Sequence, residues 1–335
     1  MNSKTNGASS GPPPIIEVRQ LRKTYPGGVE AVKGIDFDVR LGEVFGLLGP
    51  NGAGKSTTIG MLTTTVAPTS GTARLAGCDV VADPISARAA SAVVFQEAAV
   101  DRSLTGRRNL DIHARLWGVE PVVARRRVAD IAEQFGLAEL IDRPVASYSG
   151  GQRRRLEIAR SLVSRPRVLF LDEPTVGLDP RIRYELLDVI AGLRSRDEMT
   201  ILLTTHYLDE AERLCDRVAI MHLGRIVALD SPAALLSSLG HEIVELRVRG
   251  DVSTALVALR GAGLAADDAF AVGSTITVPL HDCSASNAVA TITDLGVGAS
   301  AISTRAPTLD DVYLRLTGDS LTGDSLTGAD HLSAA

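Results

Sequence analysis

Lysine is scarce in this chain of 335 residues. Of 35 basic residues only Lys4, Lys23, Lys33 and Lys55 are lysines, a skew that fits a GC-rich genome and says little about function. Cysteine is scarcer still. Cys78, Cys215 and Cys283 lie far apart and form no C-x-x-C pair, which argues against a disulfide framework or a zinc site and for a reducing compartment. Each is expected to be a small buried hydrophobe. A basic excess is missing too: 35 Lys and Arg against 40 Asp and Glu leave a formal charge of −5, so no nucleic-acid partner is expected. No apolar run approaches the ~18 residues of a membrane span. Candidates such as Val168 to Leu171 and Thr200 to Leu203 are strand-sized, so the chain is not expected to cross a membrane by itself. Residues 1–14 are polar and end in a run of prolines, without the apolar centre of a signal peptide, and read as a disordered leader.

What is present is enough apolar residue, 45%, for a sizeable core, and a length that favours about two domains. Strand patterns open at Ile15 and Ile35, and Val44 to Leu48 is apolar except for Gly46, as a strand buried on both faces should be. From about 101 to 166 the pattern is helical. Leu110, Ala114 and Trp117 fall at i, i+4 and i+7, as do Val128, Ile131 and Phe135, which places Trp117 in a core. Arg125 to Arg127 read as a solvated helix face. Strands return at Val168, Thr200 and Val218, with a helix through Leu186, Val189, Ile190 and Leu193. Such alternation predicts a parallel sheet with helices on its faces.

Beyond about Gly240 the composition changes. His241 to Arg249 alternates like a strand. The order from there to Thr304, β-α-β-β-α-β, predicts a small split-βαβ domain of α+β type over 240–317. Thr308-Leu-Asp-Asp311 starts a last helix in the manner of a capping box. Thr-Gly-Asp-Ser-Leu occurs twice in tandem from Thr317, and residues 318–335 read as a flexible tail.

The chemistry lies upstream. Gly49-Pro50-Asn51-Gly52-Ala53-Gly54-Lys55-Ser56-Thr57 fits G-x-x-x-x-G-K-[ST] and sits between the buried strand and a helix, as a P-loop must. Its amides turn inward on phosphate oxygens, Lys55 supplies a charge to the β- and γ-phosphates, and Ser56 supplies a hydroxyl to Mg²⁺. Val168-Leu-Phe-Leu-Asp172-Glu173 is a strand ending in two carboxylates. Asp172 is placed to hold Mg²⁺ and Glu173 to polarise the attacking water. Tyr148-Ser149-Gly150-Gly151-Gln152 precedes a further helix, and its Ser and glycines make a second anion nest. One nucleotide needs one cradle, so the second is expected to serve a nucleotide held by another subunit.

On these motifs the sequence resembles the ATP-binding cassette (ABC) family from about Ile15 to Leu239, with Tyr148 in place of the usual signature leucine. The resemblance implies an α/β fold, a P-loop NTPase with a RecA-like core and a helical subdomain, over residues 15–239. It also implies an ATPase that binds ATP and Mg²⁺. Tyr25 matches the aromatic that stacks on adenine, Gln96 the glutamine that touches Mg²⁺ and water, Asp179 the residue that crosses the dimer interface, and His206 the switch histidine at the γ-phosphate. Catalysis would then rest on Glu173, His206, Lys55 and Gln96, with Ser56, Gln96 and Asp172 at the metal.

Within the family the chain is most similar to ATP-binding subunits of daunorubicin-resistance-type exporters, through Arg153-Arg-Arg-Leu-Glu-Ile-Ala159, Pro174 to Pro180 and Pro307 to Thr317. That likeness implies a homodimer at the cytoplasmic face of the membrane, bound to a separate integral-membrane permease and exporting hydrophobic compounds such as antibiotics. Lipid, polysaccharide or peptide cargo is the alternative, and a non-transport ABC ATPase the rival. Arg153 to Arg155 read as partner or headgroup contacts or as a solvated helix face. The 240–317 region reads as a regulatory or dimer-stabilising domain.

Overall fold

A computed structural model describes residues 13–318 apart from 98, 198 and 282. Most of the expected leader and tail lie outside the described residues. In chain order the elements are β1 (Ile16–Thr24), β2 (Glu30–Val39), β3 (Val44–Leu48), α1 (Lys55–Leu62), β4 (Ser70–Leu75), β5 (Cys78–Asp79), α2 (Pro84–Ala89) and β6 (Ser91–Val94). Then follow α3 (Gly106–Leu116), α4 (Pro121–Gln134), α5 (Gly150–Leu162), β7 (Val168–Asp172), α6 (Pro180–Asp197), β8 (Thr200–Thr205), α7 (Leu208–Leu214), β9 (Arg217–His222) and β10 (Arg225–Asp230). The chain ends with α8 (Pro232–Ser237), β11 (Glu242–Val248), α9 (Val252–Gly261), β12 (Phe270–Val272), β13 (Thr275–Leu280), α10 (Ala285–Leu295), β14 (Ala299–Arg305) and α11 (Leu309–Thr317). Two compact units result, one reaching up to Glu43 and resuming over Ser56–Leu202, the other made of Val44–Lys55 and the chain from Leu203.

In the first unit β1 lies between β2 and β4, antiparallel to both, and β5 extends β4. Strand β6 pairs with β7 in parallel, with Ser91 opposite Val168 and Val94 opposite Leu171. Every residue of β7 is buried, which explains its unbroken apolar run. Helices α3, α4 and α5 form the helical stretch expected over 101–166. Leu110, Ala114, Val128 and Ile131 face inward as their spacing requires. Trp117 does not: it is 40% exposed. Helix α3 ends at Leu116, and Trp117 is its C-cap at φ −90° and ψ 9°, where the helical period no longer sets side-chain direction. Arg127 departs from a fully solvated face, being half-buried with Nη1 donating to Val163 O (2.9 Å).

In the second unit β3 runs parallel to β9, which pairs antiparallel with β10. The region after Gly240 is a split βαβ sheet of order β12-β13-β11-β14 with antiparallel neighbours. Its own core is built on Val244, Leu246, Leu259, Ile276, Val278 and Ile292. Helix α11 is not part of that core. Its Leu309, Val312 and Tyr313 pack with Leu48 of β3, Leu208 and Ala211 of α7, and Val218 and Ile220 of β9. The three cysteines form no disulfide among the described residues, and they are half-buried rather than fully enclosed.

Candidate nucleotide site

The P-loop begins where β3 stops. Gly49 has φ 145°, and a Cβ there would collide with the backbone oxygen of Met221, so the sharp exit from the strand requires glycine. Ala53 N donates to Pro50 O (3.2 Å), tightening the loop over Asn51 and Gly52 before Gly54. Lys55 is buried. Its Nζ donates to the carbonyls of Gly49 (2.7 Å) and Pro50 (3.1 Å), which folds the ammonium back over its own loop.

Ser56, the next residue of α1, donates its hydroxyl to Asp172 Oδ1 (3.2 Å) at the end of β7. A hydroxyl beside a buried carboxylate is a hard oxygen pair, the donor set that suits Mg²⁺. Thr57 lies 3.5 Å from the hydroxyl of Tyr25, whose ring is 36% exposed and carries Lys23 Nζ 5.0 Å above its centre. Glu173 is buried and sits at φ 46°, a left-handed conformation uncommon outside glycine. Strain of that kind concentrates at functional sites.

Gln96, just past β6, is exposed and lines a cavity of about 190 Å³ together with Glu173, Gly150 and Gly177. Ser149 caps α5: its Oγ accepts from Gln152 N (3.2 Å), and its own N donates to Gln152 Oε1 (2.9 Å). The two glycines that follow differ. A Cβ on Gly151 would collide with Ile182 of α6, whereas one on Gly150 would meet nothing nearer than Leu178 at 3.8 Å. Gly151 is therefore a packing residue, whereas Gly150 is exposed and has room for a Cβ. Tyr148 is buried and donates its hydroxyl to Leu140 O (2.6 Å). Asp179 accepts from Ile182 N (3.1 Å) and so caps α6.

In the second unit His206 follows β8, half-buried, with its ring centre 4.2 Å from that of Tyr207. The turn is set by Thr205, which donates to buried Glu210 (2.8 Å) and accepts from Tyr207 N (2.9 Å).

Arg154 is where the sequence reading falls short. Far from lying on a solvated face, it is 8% exposed and hydrogen-bonded throughout. Nε donates to Pro174 O (2.8 Å), Nη1 to Phe95 O (2.7 Å) and to Glu157 (2.8 Å), and Nη2 to the carbonyls of Asp172 (3.2 Å) and Glu173 (3.3 Å). One guanidinium from the signature helix thus binds the ends of β6 and β7, beside Gln96 and Glu173. The available signal was its helical spacing from Ile158, four residues on and buried.

A P-loop after a buried strand, a second acidic strand end and a glycine nest on a separate helix define an ATPase of the ABC class. The family model for ABC transporters matches residues 32–176. The chain is 42% identical to a daunorubicin/doxorubicin resistance ATP-binding protein of Streptomyces peucetius, over 92% of this chain and 93% of that protein. It is 40% identical to Nod factor export ATP-binding protein I of Ralstonia nicotianae, over 93% and 96% respectively. Among solved structures it is similar to cbiO1 of Clostridium perfringens, part of the ABC transporter complex cbiONQ. The TM-score is 0.64 at 30% identity, covering 68% of this chain and 92% of that one. The chain belongs to the ABC transporter family, among ATP-binding subunits of the daunorubicin/doxorubicin-resistance type. It binds ATP and is an ATPase of the kind that drives transport.

Proposed function

We propose that this ATPase powers export of hydrophobic compounds, antibiotics among them, through a separate integral-membrane permease at whose cytoplasmic face it sits. No helix among the described residues is long and apolar enough to cross a membrane, which agrees with a peripheral subunit. The relative of Streptomyces peucetius supports drugs as cargo, and the Nod factor relative supports a broader range. In this reading residues 15–239 are the cassette and 240–317 an accessory domain.

The observation that carries the catalytic assignment is the hydrogen bond from Ser56 to Asp172, with Gln96 and Glu173 lining one cavity. Gly49 to Thr57 would cradle the phosphates, with Lys55 released from its carbonyls to the β- and γ-oxygens, and Tyr25 would stack on adenine. Ser56, Asp172 and Gln96 would hold Mg²⁺, which supplies positive charge to the phosphate oxygens during transfer. Glu173 would take the proton of the attacking water, and His206 would donate to the γ-phosphate. Ser149, Gly150, Gly151 and Gln152 would complete the site of a second copy, which makes the working form a homodimer with Asp179 at its interface.

Glu173→Gln tests the core of this reading. ATP binding is expected to persist while turnover falls by at least ~10²-fold. Unchanged hydrolysis removes Glu173 from the base role. Recovery of the native chain from detergent extracts without any membrane protein would reject the permease.

A further inference from the structure

Glu173 holds a backbone conformation that has to be enforced. At φ 46° its Cβ crowds the following carbonyl oxygen, and Pro174, the next residue, narrows the choices further. Such a residue relaxes unless its surroundings over-determine it. One side chain does so from both sides. Arg154 Nη2 donates to Asp172 O (3.2 Å), the carbonyl of the peptide before Glu173, and to Glu173 O (3.3 Å), the carbonyl of the peptide after it. Nε donates to the next carbonyl in line, Pro174 O (2.8 Å). Three successive peptides are held by one planar group. The backbone adds a longer bond, from Val176 N to Glu173 O (3.4 Å).

The guanidinium is itself fixed. Nη1 donates to Phe95 O (2.7 Å) at the end of β6 and to Glu157 (2.8 Å), one turn along α5. The side chains of that ion pair are 9% and 5% exposed. With Nη1 anchored, the rigid fork dictates where Nε and Nη2 point. None of these bonds goes to the Glu173 carboxylate, so Arg154 acts on where that carboxylate sits rather than on its charge. We propose that Arg154 is the positioning residue for Glu173. It locks the strained peptides that present Glu173 to the cavity shared with Gln96, and without it the backbone relaxes and the carboxylate swings off the attacking water. The proposal rests on Glu173 being the general base. It also places that base under the control of α5, the helix capped by Ser149, so that a rotation of the signature helix reaches Glu173 through a single side chain.

The test removes the fork without leaving a buried charge behind. In Arg154→Met with Glu157→Met the ion pair goes as a unit, and both positions line the cavity, so water can reach the freed carbonyls. This double variant is expected to keep a cooperative thermal transition and its KM for ATP, while kcat falls at least ~10-fold. Added to Glu173→Gln, the same pair of changes is expected to lower the residual single-turnover rate by less than about twofold, because no base is left to aim. Arg154→Lys keeps the charge beside Glu157 but not the fork, and is expected to show the same split should the double variant fail to fold. Native kcat in either folded variant would overturn the proposal. So would an equal fall with and without Glu173, which is loss of structure rather than of aim. Native hydrolysis by Glu173→Gln alone would instead bring down the base assignment, and the proposal with it.

Discussion

Single residues show how closely packing and chemistry are interleaved. Arg154 was hidden because a run of three arginines reads as a polar face, and only its spacing from Ile158 hints at burial. Arg154→Met leaves Glu157 and several carbonyls without a buried donor, and is expected to cost about 3–5 kcal/mol, read as a shift in the denaturation midpoint. Gly151→Ala meets Ile182 and should destabilise by about 1–3 kcal/mol, whereas Gly150→Ala has room and should leave stability within about 1 kcal/mol. The ATPase rate of the Gly150 variant then tests the nest on its own. His113 makes a third case. Burial, and after it the charge of Arg160, depress its pKa to about 4. Its neutral form is favoured in the folded chain, so the stability linked to it is complete above about pH 6.5 and is lost as pH falls towards 4. Denaturant midpoints at pH 7.5 and 5 should differ more for the native chain than for His113→Leu.

Among the elements, α11 explains why Pro307 to Thr317 lies outside the split sheet's core. Arg305 clamps Asp311 with two hydrogen bonds (2.7 and 2.6 Å), and Asp311 accepts from Thr308 N (2.8 Å), closing the capping box. Leu309 N donates to Glu212 of α7 (3.0 Å), and Tyr313 shares a hydrogen bond of 2.9 Å with His222. Asp311→Ala removes a carboxylate that is 1% exposed and takes two hydrogen bonds from Arg305, which keeps Glu245 (2.6 Å). It is expected to cost about 1–3 kcal/mol in the same denaturation assay. The elements legible from sequence were those whose pattern is set by their own burial. Strands β3, β7 and β8 are buried at every residue and read as apolar runs. The split sheet alternates and its helices keep period. Strands β4 and β5 gave no such signal: in Ser70-Gly-Thr-Ala-Arg-Leu75 only Ala73 and Leu75 are buried, and pairing with β1 recruits the strand. Strand β10 has no fully buried residue and depends likewise on β9. Tyr25, Gln96, Asp179 and His206 carry no pattern of their own and were found only through the resemblance.

For the molecule as a whole, the reading requires two copies. Specific ATPase activity should fall as the chain is diluted below its dimerisation constant, and mixing Glu173→Gln with native chain should poison activity beyond simple dilution. Constant activity per chain at all concentrations would reject the shared site. A last consequence comes from the methyl group of Ile182. It seats in the hollow left by Gly151, while the amide of the same isoleucine is gripped by Asp179. Glycine nest and aspartate are thereby geared to one tooth on α6, and neither can be displaced without turning the other.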